Sequence, residues 1–207
     1  MKAAQLLEEH YVRGYDHLGK WMLYWEQIQT VLSLPNSKRV LIVGPGMGVV
    51  EHYLRQVGYV VDTVDVLASL RPTYVLDVRN LGLVGQKYDV VVVSHILEHI
   101  PFLDVPRAIR ELRSVAKQYV LFSGPHWALF FEGRIHLHGK YVNWNWRIPL
   151  PFVAHRLGTE HEWELGKQGY DVKTFEEWWR TGGFVLVKEW RPPLNAWSHY
   201  YLWKVKQ

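Results

Sequence analysis

KRVLIVGPGMG, residues Lys38 to Gly48, carries an apolar run that breaks at once into three glycines spaced two apart. A run without polar alternation suits a strand covered on both faces, and glycines directly after it suit a sharp turn. A helix follows over Val49 to Gln56, and Tyr59 to Asp65 forms a second strand. The same rhythm repeats outward. Thr73 to Asp77 is a third strand, YDVVVV (Tyr88 to Val93) a fourth, and YVLFSG (Tyr119 to Gly124) a fifth. Between the last two, Asp104 is placed to cap a helix with apolar positions Val105, Ile109, Leu112 and Val115, and with Arg107, Arg110 and Arg113 on its other face. Alternating strands and helices of these lengths imply an α/β fold, a doubly wound sheet with right-handed crossovers.

Before this core, Leu18, Trp21, Trp25, Ile28 and Leu32 recur at spacings of three and four, one face of a helix within residues 3–32 that Pro35 and Asn36 close. After it the rhythm stops. Residues 125–173 hold five histidines and four tryptophans among scattered Pro, Gly and Asn, with no sustained period. A segment that long without regular structure reads as a functional insertion. Regularity returns with TFEE, a capping-box pattern joining Thr174 to Glu177, and Gly182-Gly183 ends that helix. GFVLVKEW and HYYLWKV finish the chain, and the short RPPLNAW link between them favours an antiparallel pair. The expected organisation is one domain: a helical cap at 1–34, a cofactor-binding core at 39–124, a lid or substrate insertion at 125–173, and a closing helix and hairpin at 174–207.

Composition removes several classes of function. The chain has 207 residues and no cysteine, which excludes a disulfide scaffold, a thiolate nucleophile and Cys-ligated zinc or iron–sulfur chemistry. Its apolar runs fall far short of the roughly 20 residues that span a bilayer. MKAAQLLEEHYVRGYDH mixes both signs of charge and lacks the apolar stretch of a secretion signal, so a soluble, cytoplasmic protein without a membrane partner is expected. A formal net charge of +4 permits an anionic partner without requiring nucleic acid. The 11 Trp, 12 Tyr and 11 His residues suit pockets and interfaces as well as a core, which leaves a homo-oligomer open.

The glycine turn is the first candidate site. Gly44, Gly46 and Gly48 let the backbone approach a ligand with no Cβ in the way, beside a helix N-terminus that favours negative charge. A dinucleotide fingerprint requires G-x-G-x-x-G/A, and Val49 occupies its third small position here, which disfavours a nicotinamide dehydrogenase. No Gly-Lys-Ser/Thr follows, so a P-loop is excluded. Asp65 ends the second strand seventeen residues after Gly48, where an acid can accept both hydroxyls of a ribose.

Together these residues resemble the class I S-adenosylmethionine-dependent methyltransferases, especially their small bacterial and archaeal members. The resemblance covers roughly Arg39 to Gly124 through VGPGMG, Asp65, LDVRNL and SHILEHIP, and extends weakly into the closing helix and hairpin. It implies a Rossmann-like, seven-stranded, mostly parallel sheet whose last strand lies antiparallel between the fifth and sixth, with S-adenosylmethionine as cofactor. By the same resemblance Gly44, Pro45, Gly46 and Gly48 lie under the methionine part and Asp65, with Val66 beside it, holds the ribose. Asp77 receives the adenine amino group alongside Val78, and Ser94 and His95 lie beneath the methionine part. Glu98 and His99 match a stretch that fixes the loop more often than it touches substrate. The family commonly has an acid two residues before the first glycine, and this chain has Ile42 there, so the cofactor's ammonium group must be held by other atoms, such as carbonyls near Gly44 or Ser94.

Methyl transfer to a hydroxyl or protonated amine needs a base as well as alignment, and His suits that role near pH 7. His126, two residues past the fifth strand, and His161, with Glu162 and Glu164 nearby, are the catalytic candidates. Tyr24, Trp127, His136, His138, Trp144 and Trp146 are the candidate substrate contacts, since aromatic faces attract a sulfonium or a cationic acceptor. His136-x-His138 on one strand face, completed by His155, His161 or a glutamate, has a metal-like spacing, but the distance to the later ligands is irregular and no regular signature appears, so no metal is assigned. An enclosed, aromatic insertion points to a small-molecule acceptor. Methylation of RNA or protein, or a non-catalytic nucleoside-binding interaction protein, are the alternatives.

Overall fold

In a computed structural model that describes residues 17–156 and 161–207, nine strands and four α-helices follow one another along the chain. Residues 1–16 of the expected N-terminal cap and residues 157–160 of the expected insertion lie outside the described residues. The strands are β1 (Arg39–Val43), β2 (Val60–Asp65), β3 (Tyr74–Val75), β4 (Tyr88–Ser94), β5 (Ala116–Pro125), β6 (Leu129–Leu137), β7 (Lys140–Ile148), β8 (Phe184–Trp190) and β9 (Ser198–Val205). The helices are α1 (Leu18–Ser33), α2 (Val49–Gln56), α3 (Val105–Val115) and α4 (Val172–Thr181).

Seven strands form one sheet in the order β3-β2-β1-β4-β5-β9-β8. β1 to β5 pair in parallel, and β9 lies antiparallel between β5 and β8, the order that the resemblance implied. The apolar runs divide their side chains between two cores, because successive strand residues point to opposite faces. Leu41, Val43, Val91 and Val93 pack with Ile109 and Leu112 of α3 and Phe175 and Trp179 of α4. Val40, Ile42, Val90 and Val92 pack on the other face with Ile28 and Val31 of α1 and Leu54 of α2. Burial on both faces explains why YDVVVV shows no alternation.

Four local expectations change. The buried face of α1 is Leu23, Tyr24, Gln27, Ile28 and Val31, whereas Trp21 and Trp25 are 52% and 56% exposed and, with Leu18, face outward. Anchors at one side set this rotation: the Tyr200 hydroxyl donates to the carbonyl of Leu23 (3.1 Å), and Trp190 Nε1 donates to the Glu26 carboxylate (2.7 Å). Trp21 and Trp25 instead border an apolar depression against Met47 and Tyr53. Asp104 does not cap α3, because its carboxylate accepts from Arg79 Nη1 (2.7 Å). α4 starts three residues earlier than TFEE suggests, with Asp171 in place of Thr174 as its cap, accepting from the amide of Thr174 (2.9 Å). The third strand is only two residues long, and Asp77 begins a 3-10 turn over Val78–Val84.

The largest difference lies in the insertion, where β6 and β7 form a separate antiparallel pair. Period-two alternation is present in the sequence: Leu129, Phe131, Ile135 and Leu137 on β6 oppose Ile148, Trp146, Val142 and Lys140 on β7, with Trp144 opposite Gly133. Direct partners in an antiparallel pair share a face, so the hairpin's apolar side chains gather on one side. Trp144 lies so close over Gly133 that a Cβ there would meet its indole at 2.1 Å.

Candidate active site

The strand order reverses between β1 and β4, and ligands of open α/β sheets bind outside the carboxyl ends of the strands at such a point. Here that place is a cavity of about 830 Å³. Gly44, Pro45 and Gly46 form its floor after β1, Asp65 and Val66 enter from the end of β2, and Asp77 and Val78 from the turn after β3. Ser94 and His95 close the C-terminal end of β4, Tyr24 comes from α1, and His161 from the later part of the insertion, beyond β7. Eleven of the eighteen expected site residues therefore share one space.

The turn is held in its shape by positive φ at Gly44 (73°), Gly46 (55°) and Gly48 (74°) and by the Gly44 amide donating to the carbonyl of Val64 (2.8 Å). A Cβ at Gly46 would meet nothing within 4 Å, so its absence keeps open space above the backbone. A Cβ at Gly44 would lie 2.0 Å from Ile96 Cδ1 and 2.7 Å from its Cγ1. Gly44→Ala should thus lower unfolding free energy by about 2 kcal/mol, from left-handed backbone strain plus displacement of Ile96, read as a shift in the urea midpoint. Gly48, expected at the cofactor, lies elsewhere. It serves as the N-cap of α2 in a left-handed conformation and borders the apolar depression beside α1, outside the cavity.

Asp65 is half buried, and burial raises its carboxyl above the ordinary range, opposed by the amides of Leu67 and Val66. Asp77 is more fully engaged: Arg79 donates from its amide, Nε and Nη2, each at 2.8 Å, and holds the carboxyl below its usual range. Ser94 Oγ accepts from Gln27 Nε2 (3.0 Å) and lies 2.6 Å from Ser123 Oγ, which fixes α1 against the end of β4. His95, at φ 54°, is wedged between partners, with Nδ1 3.0 Å from Glu98 Oε1, Nε2 3.0 Å from Ser198 Oγ, and the ring stacked on Trp197 at 5.5 Å. Glu98 has no exposed surface; burial opposes its ionisation, but the His95 and His99 imidazoles outweigh burial and lower its carboxyl overall.

The other catalytic expectation, His126, is not brought to the cavity. Its ring is buried, with Nδ1 3.0 Å from Nδ1 of His199 and 2.6 Å from Arg191 Nη2. Burial first, then the charge of Arg191, pushes His126 down to about 2, which makes it a poor base. Trp127 lies under Lys167 Nζ, 4.8 Å from its ring centre, and does not line the cavity either. His136, His138, Trp144 and Trp146 are exposed on the hairpin, away from the cavity lining, and His138 sits in its turn at φ 47°, off the strand face it was expected to share with His136. Trp197 and Asn195 from the loop before β9, and Gln27 behind Ser94, are residues that the sequence reading missed. Nothing in RPPLNAW marks Trp197, whose ring stacks on His161 (5.8 Å) as well as on His95.

A glycine turn, a ribose-spaced acid and this sheet order define a nucleoside-binding α/β enzyme class. Over residues 20–189 the chain matches the family described as "Methyltransferase domain", and it belongs to that family. Solved structures share its fold. Magnesium protoporphyrin IX methyltransferase (ChlM) from Synechocystis PCC 6803, with bound SAH, superposes at a TM-score of 0.64 with 14% identity over 99% of this chain and 100% of that one. N-methyltransferase NodS from Bradyrhizobium japonicum WM9 gives 0.62 with 10% identity, covering 93% and 99% of the two chains. The glycopeptide N-methyltransferase MtfA, complexed with S-adenosylhomocysteine, gives 0.59 with 12% identity and 89% of each chain. No curated protein sequence matches this chain. Among the described residues, no helix is long and apolar enough to cross a membrane.

Proposed function

We propose that the protein transfers a methyl group from S-adenosylmethionine to an oxygen or nitrogen of a small molecule. The observation that carries this reading is the meeting, in one cavity, of a turn without side chains at Gly44 and Gly46 and the half-buried carboxylate of Asp65. The residues fit the cofactor: the open space above Gly46 admits a chain close to the backbone, and about 830 Å³ exceeds what a nucleoside alone fills. When bound, the cofactor supplies a methyl group on a positively charged sulfur.

Asp65 would accept from the ribose hydroxyls, Asp77 and Val78 would border the base, and Ser94 would lie near the methionine part. α1 and the later part of the insertion act as covers, since Tyr24 and His161 come from them and line the same space. Covering excludes water and holds the reacting atoms in line, which supplies most of the acceleration a transfer of this kind needs. Of the two catalytic candidates only His161 lines the cavity, which supports a part for it, direct or indirect, in loss of the acceptor's proton. A concave cavity walled in part by Tyr24 and Trp197 suits a compact acceptor better than a polymer.

Asp65→Ala tests the reading. Hydrogen bonds to a charged partner contribute roughly 1.5–3 kcal/mol each, so affinity for S-adenosylhomocysteine, measured by calorimetry, should fall by about tenfold or more. Asp65→Asn, which can still accept from the Leu67 amide at the position now 2.9 Å away, guards against local unfolding. S-adenosylmethionine at 100 times its dissociation constant should stabilise the wild type by about 2.7 kcal/mol, and NAD should not. Unchanged affinity in both Asp65 variants would remove that carboxylate from the site.

A further inference from the structure

Glu98, His99 and His161 each bring one ligand atom to within 4.8 Å of the other two. We infer that these three side chains form a site for a divalent transition-metal ion, of which Zn2+ is the type, and that this ion receives the hydroxyl oxygen of the methyl acceptor. Two imidazoles and one carboxylate are the donor set of open catalytic centres, three protein ligands with further positions left for substrate or water. Ligands about 2.1 Å from a tetrahedral ion stand about 3.4 Å apart, so modest side-chain rotation closes the set. His99 is exposed on the 3-10 turn Leu97–His99, and its ring already meets that of His161 edge-on at 5.3 Å.

Two independent features point to a cation. Glu98 is wholly buried, and while Oε1 faces His95, Oε2 has no hydrogen-bond partner among the described residues. A buried carboxylate oxygen without a donor is costly, and a bound ion would satisfy it. The second feature is the support behind His161. Its Nδ1 lies 3.4 Å from Glu164 Oε1, and Glu164 is in turn held by Lys167 (2.9 Å), so a proton on Nδ1 leaves Nε2 as the ligand atom. A carboxylate behind a ligating imidazole fixes its tautomer and ring plane, and here Trp197 stacks on the ring's face as well. The Glu162 amide donating to the Glu98 carbonyl (2.7 Å) ties the two contributing segments together.

His99 and His161 line the same cavity as Gly44 and Asp65, so the chemistry follows from the proposed function and rests on it. An acceptor with an acidic hydroxyl, a phenol or an enol, binds the ion through its oxygen. The ion lowers that hydroxyl's pKa, and the proton passes to water. The oxygen's lone pair then forms the O–CH3 bond while the S–CH3 pair returns to sulfur, giving a methyl ether, a neutral thioether and one released proton. His161 is thereby a ligand and not the proton acceptor, and oxygen acceptors are favoured over nitrogen ones.

The test is calorimetric titration of full-length, tag-free, chelator-treated protein with Zn2+, with Mg2+ as a control that prefers oxygen ligands. One Zn2+ per chain with no Mg2+ heat is expected. The double variant His99→Ala/His161→Ala, whose two sites are not in the core, should bind Zn2+ about 100-fold or more weakly while keeping the wild-type melting curve. Glu98→Gln should weaken it similarly. Absence of a stoichiometric site, or a site undiminished in the double variant, would overturn the inference. S-adenosylhomocysteine is titrated separately into the same metal-free protein: its binding without any Zn2+ site defeats the metal alone, whereas a Zn2+ site without nucleoside binding defeats the proposed function and the catalytic role of the ion with it.

Discussion

Lowering the pH from 7 to 4.5 should shift the urea midpoint far downward, with a loss on the order of 4 kcal/mol out of the 5–15 typical of a folded domain. The cause is the pair His126 and His199, which the fold buries as neutral rings. Burial, reinforced by the charges of Arg191 and Arg147, pushes His126 down to about 2. Burial also lowers His199 to about 4, although Glu189, 3.5 Å from its Nε2, works the other way. Both groups would titrate near 6.5 in the unfolded chain. Folded-state values depressed below unfolded ones mean that the unfolded chain takes up protons first as pH falls. The stability associated with the neutral rings is complete above pH 6.5 and declines steadily below it, by about 1.4 kcal/mol per unit for each ring. Asp77 and Asp89, held below their ordinary range, add a loss of the same sign only in stronger acid. Replacing His199 by Gln should remove one proton from the slope between pH 6.5 and 4.5, and equal stability at pH 4.5 and 7 in the wild type would end the explanation. Arg147 comes from β7 and Arg191 follows β8, so the same cluster joins the hairpin to the sheet. Acid should therefore loosen the hairpin before the core.

The parts of this molecule that the sequence disclosed are those where one local property decides the outcome. VLIV and VVVV are buried on both faces, and continuous apolar runs say so; Gly44 and Asp65 end adjacent strands, and strand ends are readable from turn residues. What stayed hidden depends on contacts between distant segments. Asp104 looks like a cap until Arg79 takes its carboxylate, and Trp21 looks buried until Tyr200 and Trp190 fix the rotation of α1. His126 and His161 are alike in sequence, each a histidine near a turn in a Trp-rich segment. Only the packing of β9 and of the loop before it separates them, since His199 claims the first and Trp197 stacks on the second. The β6–β7 hairpin is a different case. Its alternation was present in the letters but was masked by Phe130 and Tyr141, aromatic residues on the otherwise polar face.

Removing Trp203 should cost more than any other single truncation considered, about 3–5 kcal/mol for Trp203→Ala. Its indole has no exposed surface, stacks on Trp179 with ring centres 5.3 Å apart and planes 1° from parallel, and stacks again on Tyr201 at 5.9 Å. β9 inserts between β5 and β8, so a cavity at Trp203 undermines the strand that carries His199 and, just before it, Ser198 and Trp197. Trp203→Phe should cost far less than its volume suggests. Nε1 of Trp203 is buried without a hydrogen-bond partner among the described residues, and deleting an unsatisfied donor recovers part of the energy lost with the smaller ring. Trp146, 75% exposed on the hairpin, is the control, and its truncation to Ala should change stability by less than about 0.5 kcal/mol. Urea unfolding of the three variants decides the matter: a Trp203→Ala loss no larger than that of Trp146→Ala would show that the stacked rings do not hold the C-terminal strands in place.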